Sequence, residues 1–119
     1  NADALEIYRT IYICEGAINA ETLGENGIAT GGKAVSRWQV NKFIKSQVEK
    51  FIILIDPDAK DKALDLAFKL VPFKKVKVVF LPDNEDVNSL GKQRTLEYVR
   101  ETTYQTYQEL LTIKSQLKL

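Results

Sequence analysis

Glu15, Asp56 and Asp58 are the residues best placed to do chemistry, because they stand at or just past the ends of short runs of β-branched and apolar residues. Glu15-Gly16 closes the run Thr10-Ile-Tyr-Ile-Cys14, and Asp56-Pro57-Asp58 closes Phe51-Ile-Ile-Leu-Ile55. A third acidic stretch, Asp83-Asn-Glu-Asp86, follows Val76-Lys-Val-Val-Phe-Leu81 and Pro82. Carboxylates gathered at one place repel and hold their protons more tightly unless a cation sits between them. The chain has one cysteine and no histidine, which removes a Cys/His zinc site, a serine–histidine pair and an intrachain disulfide. An all-oxygen donor set suits Mg²⁺ or Mn²⁺, which keep water ligands and bridge to phosphate oxygens. Taken singly, these acids are ordinary. Glu-Gly after a strand is a common turn, the second Asp of Asp-x-Asp is a ready helix N-cap, and Asp61 suits the first turn of the helix that follows. Their order on successive strands is the specific signal.

Four strand-like runs must position these acids: Thr10–Cys14, Gly27–Thr30, Phe51–Ile55 and Val76–Leu81. Helical patterns separate them, over 16–24, over about 35–45, and from an Asp58 cap through Ala63, Leu64, Ala67, Phe68 and Leu70. Strands alternating with helices imply right-handed crossovers and a mainly parallel sheet, an α/β fold. In such sheets ligands bind at the carboxyl ends of the strands. If the first and third strands are neighbours, Glu15, Asp56 and Asp58 converge there. Asn88 is placed to cap a helix from Ser89 to about Glu101, and a last amphipathic helix runs to Leu119 with Leu110, Ile113 and Leu117 as its apolar stripe. That helix is too apolar for a solvated end, so it docks on the sheet's own helices, on a missing domain or on a second copy. Residues 1–2 read as a cloning remnant, 3–100 as the domain, and 101–119 as this helix or a linker.

The surrounding residues add less. Gly27-Ile-Ala-Thr-Gly-Gly32-Lys33-Ala34 nearly spells a P-loop, but Ala34 lacks the hydroxyl that would meet Mg²⁺. Lys33 is left as a phosphate contact or an exposed loop lysine. Lys69, Lys74, Lys75 and Lys77 read as a solvated face, Trp38 as core, and Cys14 as a buried, inert thiol. A net charge of +1 gives no global basic field for a polyanion. No apolar run approaches the roughly 18 residues that cross a bilayer and no signal peptide is visible, which fits a cytoplasmic protein.

Glu15-Gly16 and Asp56-Pro57-Asp58, over about Tyr8 to Arg100, resemble the signature of the Toprim family of primases, topoisomerases and nucleases. The resemblance implies a compact four-stranded, mainly parallel sheet flanked by helices, here with an extra C-terminal helix. It implies that Glu15 serves acid/base chemistry or metal binding and that Asp56 and Asp58 bind Mg²⁺. Phe80-Leu-Pro-Asp-Asn-Glu-Asp-Val-Asn-Ser-Leu90 resembles the segment after the fourth strand in bacterial-type and phage primases, where Asp86 matches an additional acid. Asn19 and Lys60-Asp61 depart from that pattern, which often has Asp and Ala-Gly there. The expectation is the metal-binding catalytic module of a DNA primase, with catalytic Glu15, Asp56 and Asp58 and metal ligands Glu15, Asp56, Asp58 and Asp86. Its partners would be single-stranded DNA template, nucleoside triphosphates and a replicative helicase, with weak self-association through the C-terminal helix. The chain starts almost at the first strand, so it reads as a domain cut from a longer protein and inactive alone. Toprim-type nuclease or topoisomerase chemistry, and a non-catalytic nucleic-acid or partner-binding module, stand as alternatives.

Overall fold

β3 (Lys50–Ile55) is buried at every position from Phe51 to Ile55, as a strand covered on both faces must be. In the computed structural model, which describes residues 4–30, 35–55 and 59–118, it pairs in parallel with β1 (Thr10–Cys14) and β4 (Lys75–Phe80). β1 pairs in parallel with β2 (Gly27–Ala29), giving the order β2-β1-β3-β4. The expected mainly parallel sheet is therefore parallel throughout its described strands. Helices cover it in two layers. Ile11, Ile13, Phe51, Ile53, Ile55, Val76 and Val78 point to one face, under α1 (Ala4–Ile7), α3 (Arg37–Lys45), α4 (Lys60–Leu70) and α7 (Tyr107–Leu117). Cys14, Ile52, Leu54 and Val79 point to the other, under α2 (Ala17–Leu23), α5 (Val87–Leu90) and α6 (Lys92–Glu101). Each strand alternates its side chains between the two cores, as the period of two requires.

Local chemistry sets the helix starts, in places differently from the expectation. Ser36 and Gln39 close a capping box that starts α3. α4 has Ala59 at its N-cap and no side-chain cap, one residue later than the expected Asp58, which lies outside the described residues. Asn88 does not cap the helix after β4; Asp86 does, and Gly91, at φ 84°, breaks that helix into α5 and α6. Gly27 is fixed by close approach, since a Cβ there would stand 2.3 Å from the Ala20 carbonyl oxygen. That contact seats α2 on β2.

The chain beyond α6 closes the open edge of β4. Gln105 donates its backbone N–H to the Val76 carbonyl at 3.0 Å. Its side chain accepts from the Val78 N–H at 2.7 Å and donates back to the Val78 carbonyl at 3.2 Å. Exposed edges of this kind invite pairing with other chains, and here side chain and backbone occupy it. A Thr106–Glu109 capping box then starts α7, which buries Leu110 completely and Ile113 and Leu117 in part. The terminal helix thus docks on the domain's own helices, leaving Tyr107 and Leu111 as its exposed large apolar residues.

Two expectations are corrected. Trp38 is 67% exposed rather than core. At about 100° per residue it stands roughly 140–200° around α3 from the buried Val40 and Phe43. Lys77 is buried rather than solvated. Its ammonium donates to the Val99 and Thr102 carbonyls at 2.7 and 2.9 Å and lies 4.6 Å from the centre of the Tyr104 ring. Burial and the neighbouring Lys50 pull its pKa below the ordinary lysine value, while burial and Tyr12 push Tyr104 above the ordinary tyrosine value. Among the described residues, no helix is long and apolar enough to cross a membrane.

Candidate active site

All four strands run the same way, so their carboxyl ends share one edge. Glu15 after β1 and the loop 81–86 after β4 lie at it, and β2 and β3 end there too. The β1→β2 connection, α2, covers one face and the β3→β4 connection, α4, covers the other. The strand order therefore reverses between β1 and β3, and that switch point is where open parallel sheets form their ligand crevice. The pairing of Ile13 with Ile53 holds the ends of β1 and β3 level. The neighbour relation on which the convergence of acids depended is thus present. Lys33, Asp56 and Asp58 themselves lie outside the described residues.

Glu15 is half-buried at this edge. It borders a recess of about 40 Å³ between β1, β3 and the start of α4, whose walls include Cys14, Thr30, Leu54, Ala59 and Lys62. The Thr30 N–H donates to the Cys14 carbonyl at 2.9 Å and carries the β1–β2 ladder up to Glu15. The recess has room for about one water, so a larger ligand must sit above it. Lys62, the only cation among its described lining residues, was not singled out from sequence. Its place one turn into the helix after Asp56-x-Asp58 is the signal that could have found it.

The loop after β4 brings two more carboxylates to the edge. Asn84 turns it at φ 63°, a conformation asparagine tolerates, and the Glu85 N–H donates to the Pro82 carbonyl at 3.1 Å. Asp86 accepts from the Ser89 N–H at 2.8 Å while its own N–H donates to the Ser89 hydroxyl at 2.9 Å. The residue expected as a metal ligand is therefore also a helix cap, held in one orientation through one of its oxygens. Asn19, buried in α2, accepts from the Asn88 N–H at 3.0 Å and ties this loop to the helix that follows Glu15. It fixes the loop rather than contributing a charge. Glu85 was given no role of its own from the sequence, yet one of its carboxylate oxygens is buried with no hydrogen-bond donor among the described residues. A buried acceptor in that state costs free energy unless a donor or a cation meets it.

Among the described residues, no three acidic or thiol side chains come together closely enough to hold a cation. A cation at this edge would need donors beyond them. The donors that are described fit a hard cation: they are all oxygens, and one of them is buried with no hydrogen-bond donor among the described residues.

Two solved structures share this fold. The chain superposes on the E. coli primase catalytic core with a TM-score of 0.67 at 18% identity, over 87% of this chain and 37% of that one. On the DnaG catalytic core the TM-score is 0.65 at 19% identity, over 82% of this chain and 35% of that one. This chain thus corresponds to little more than a third of each core. No protein-family model matches the chain, and no curated protein matches it. The likeness establishes the fold: a four-stranded parallel sheet flanked by helices, shared with the superposed third of those primase cores.

Proposed function

We propose that this chain is the metal-binding catalytic module of a DNA primase, a nucleotidyl-transfer unit that acts with other parts of a longer protein. One observation carries the reading. The strands that lead to Glu15 and Asp56 end side by side at the switch point of a sheet whose fold is that of primase catalytic cores. Glu15, Asp56, Asp58 and Asp86 would hold Mg²⁺ or Mn²⁺, and the buried Glu85 oxygen, which meets no donor among the described residues, would add a further ligand on the same edge. A bound cation there supplies neutralising charge for the triphosphate. Glu15 accepts the proton of the attacking 3′-hydroxyl, a role suited to a half-buried carboxylate at the rim of an apolar recess. Lys33 is assigned to a phosphate. Single-stranded template and nucleoside triphosphates are the substrates, reached through the longer protein in the cytoplasm, with a replicative helicase as partner.

Thermal melting with and without Mn²⁺ tests the metal reading. Cation at about 100 times its Kd should add roughly 2.7 kcal/mol, and Asp56→Asn should abolish the gain. A melting curve unmoved by millimolar Mn²⁺ and identical in Asp56→Asn overturns it. Primer synthesis by this chain alone is expected to be negligible, because a net charge of +1 gives little hold on a polyanion. Joined to the rest of its protein it should synthesise primers, and Asp56→Asn should silence them. Metal-dependent cleavage of DNA without any synthesis would assign the site to a nuclease instead.

A further inference from the structure

We propose a second surface, on α3, that binds single-stranded nucleic acid by stacking a base on Trp38 and pairing its phosphates with lysines. α3 reads Arg-Trp-Gln-Val-Asn-Lys-Phe-Ile-Lys, with three cations and no acid in nine residues. That is a local concentration of charge in a chain whose net charge is only +1. Trp38, Asn41, Lys42 and Lys45 fall at helical spacing on one stripe, which walls a hollow of about 650 Å³ between α3 and α1. Glu6 is the one acid among its described lining residues.

Trp38 is the centre of the surface. It is 67% exposed, and the Lys42 ammonium lies 4.5 Å from the centre of one of its rings. A cation on one face of an indole leaves the other face for a base, and the same ammonium lies where the attached phosphate would pass. Basic side chains interleaved with an exposed aromatic suit an unpaired strand, because a duplex keeps its bases stacked on one another. A protein partner would be served by the aromatic surface but not by three cations on a helix that carries no acid. α3 leads from the end of β2 back toward the start of β3, so the stripe runs along the helix from Trp38 to Lys45. The surface is separate from the carboxylates and needs no metal.

Trp38 is the only tryptophan in the chain, so its emission reports on this site alone. In EDTA, where failure of the metal reading cannot interfere, short oligodeoxythymidylate should quench that emission. The affinity should fall with salt at a log–log slope near −2, from roughly 0.7 per phosphate for three cations. In anisotropy measurements with a labelled oligonucleotide, Trp38→Ala should weaken binding about tenfold or more and Trp38→Phe less. The pair Lys42→Gln and Lys45→Gln should bring the slope near −0.7. Both sets of changes lie on exposed positions, and unchanged melting curves show that the fold is kept. Emission that the oligonucleotide leaves unmoved overturns the proposal and assigns the stripe to a protein surface. Equal affinity for duplex DNA overturns it too, since paired bases cannot stack on Trp38.

Discussion

Leu110 and Leu111 are adjacent on α7, but the first is completely buried and the second is 40% exposed. Leu110 sits in the core with Leu64, Ala67 and Leu70 of α4, and Phe68 meets Tyr107 edge-on at 5.2 Å between ring centres. Leu110→Ala removes a side chain from a filled interior and leaves a cavity, which costs about 2–5 kcal/mol. Leu111→Ala removes one that water already reaches, and should cost under about 1 kcal/mol. In a domain of this size each kcal/mol moves Tm by roughly 3–6 °C. The first variant should therefore melt at least about 6 °C lower than the parent, and the second nearly with it. Urea unfolding followed by circular dichroism gives the two values on one scale, with unchanged m-values as the check that both still unfold cooperatively. Equal, small losses would refute the docking of α7 and return residues 101–119 to the role of a linker. A large loss confined to Leu110 makes α7 part of the domain, so that packing continues past residue 100.

Gly27→Ala should destabilise the fold by about 2 kcal/mol or more, because the new methyl has to displace the α2 backbone at Ala20; thermal melting reads this directly. Asp86→Ala should cost about 1 kcal/mol without any metal, through loss of the α5 capping box. Asp86→Ser should keep that cap and lose only metal-dependent stabilisation, so comparing the two with and without Mn²⁺ separates structure from ligation. Tyr12 and Tyr104 have pKa values raised above 10.0 by burial, so their contribution to stability is complete below pH 10.0 and lost as pH rises through the folded values. Lys77, lowered below 10.5 by burial and Lys50, acts in the opposite direction, its cost lifting over the range up to 10.5. Urea midpoints should therefore fall above about pH 10, and fall more steeply in Lys77→Met.

What the sequence could disclose follows from which contacts are local. β3 was legible because a strand covered on both faces leaves an unbroken apolar run, Phe51 to Ile55. Ser36 and Gln39 start α3 three residues apart, so their box is written in the sequence. Trp38 was misread because Val35, Val40, Phe43 and Ile44 are its neighbours along the chain, whereas helix phase turns it away from them. Lys77 was misread because the carbonyls and the ring that shelter it belong to residues 99–104, brought over β4 by a turn that no local pattern announces. Asn88 and Asp86 are both competent N-caps, and only the fold shows that Ser89 completes a box with Asp86.

The shared edge of the strand ends was legible for a different reason. Acids that end parallel strands must share an edge whatever the strand order, because the strands point the same way. The order then decides which acids are neighbours, and the spacing of Glu15 and Asp56-x-Asp58 along the chain carries no trace of it. β1 beside β3 is a pairing across about 40 residues, made by the face-matching of Ile11 and Ile13 with Phe51 and Ile53 in one core. The same pairing places the switch point between them, so the step that seals the core also opens the crevice. Glu85 shows what that step adds beyond the motif. Its buried oxygen lies in a loop that turns at Asn84 and runs into α5, which Asn19 ties to the helix behind Glu15.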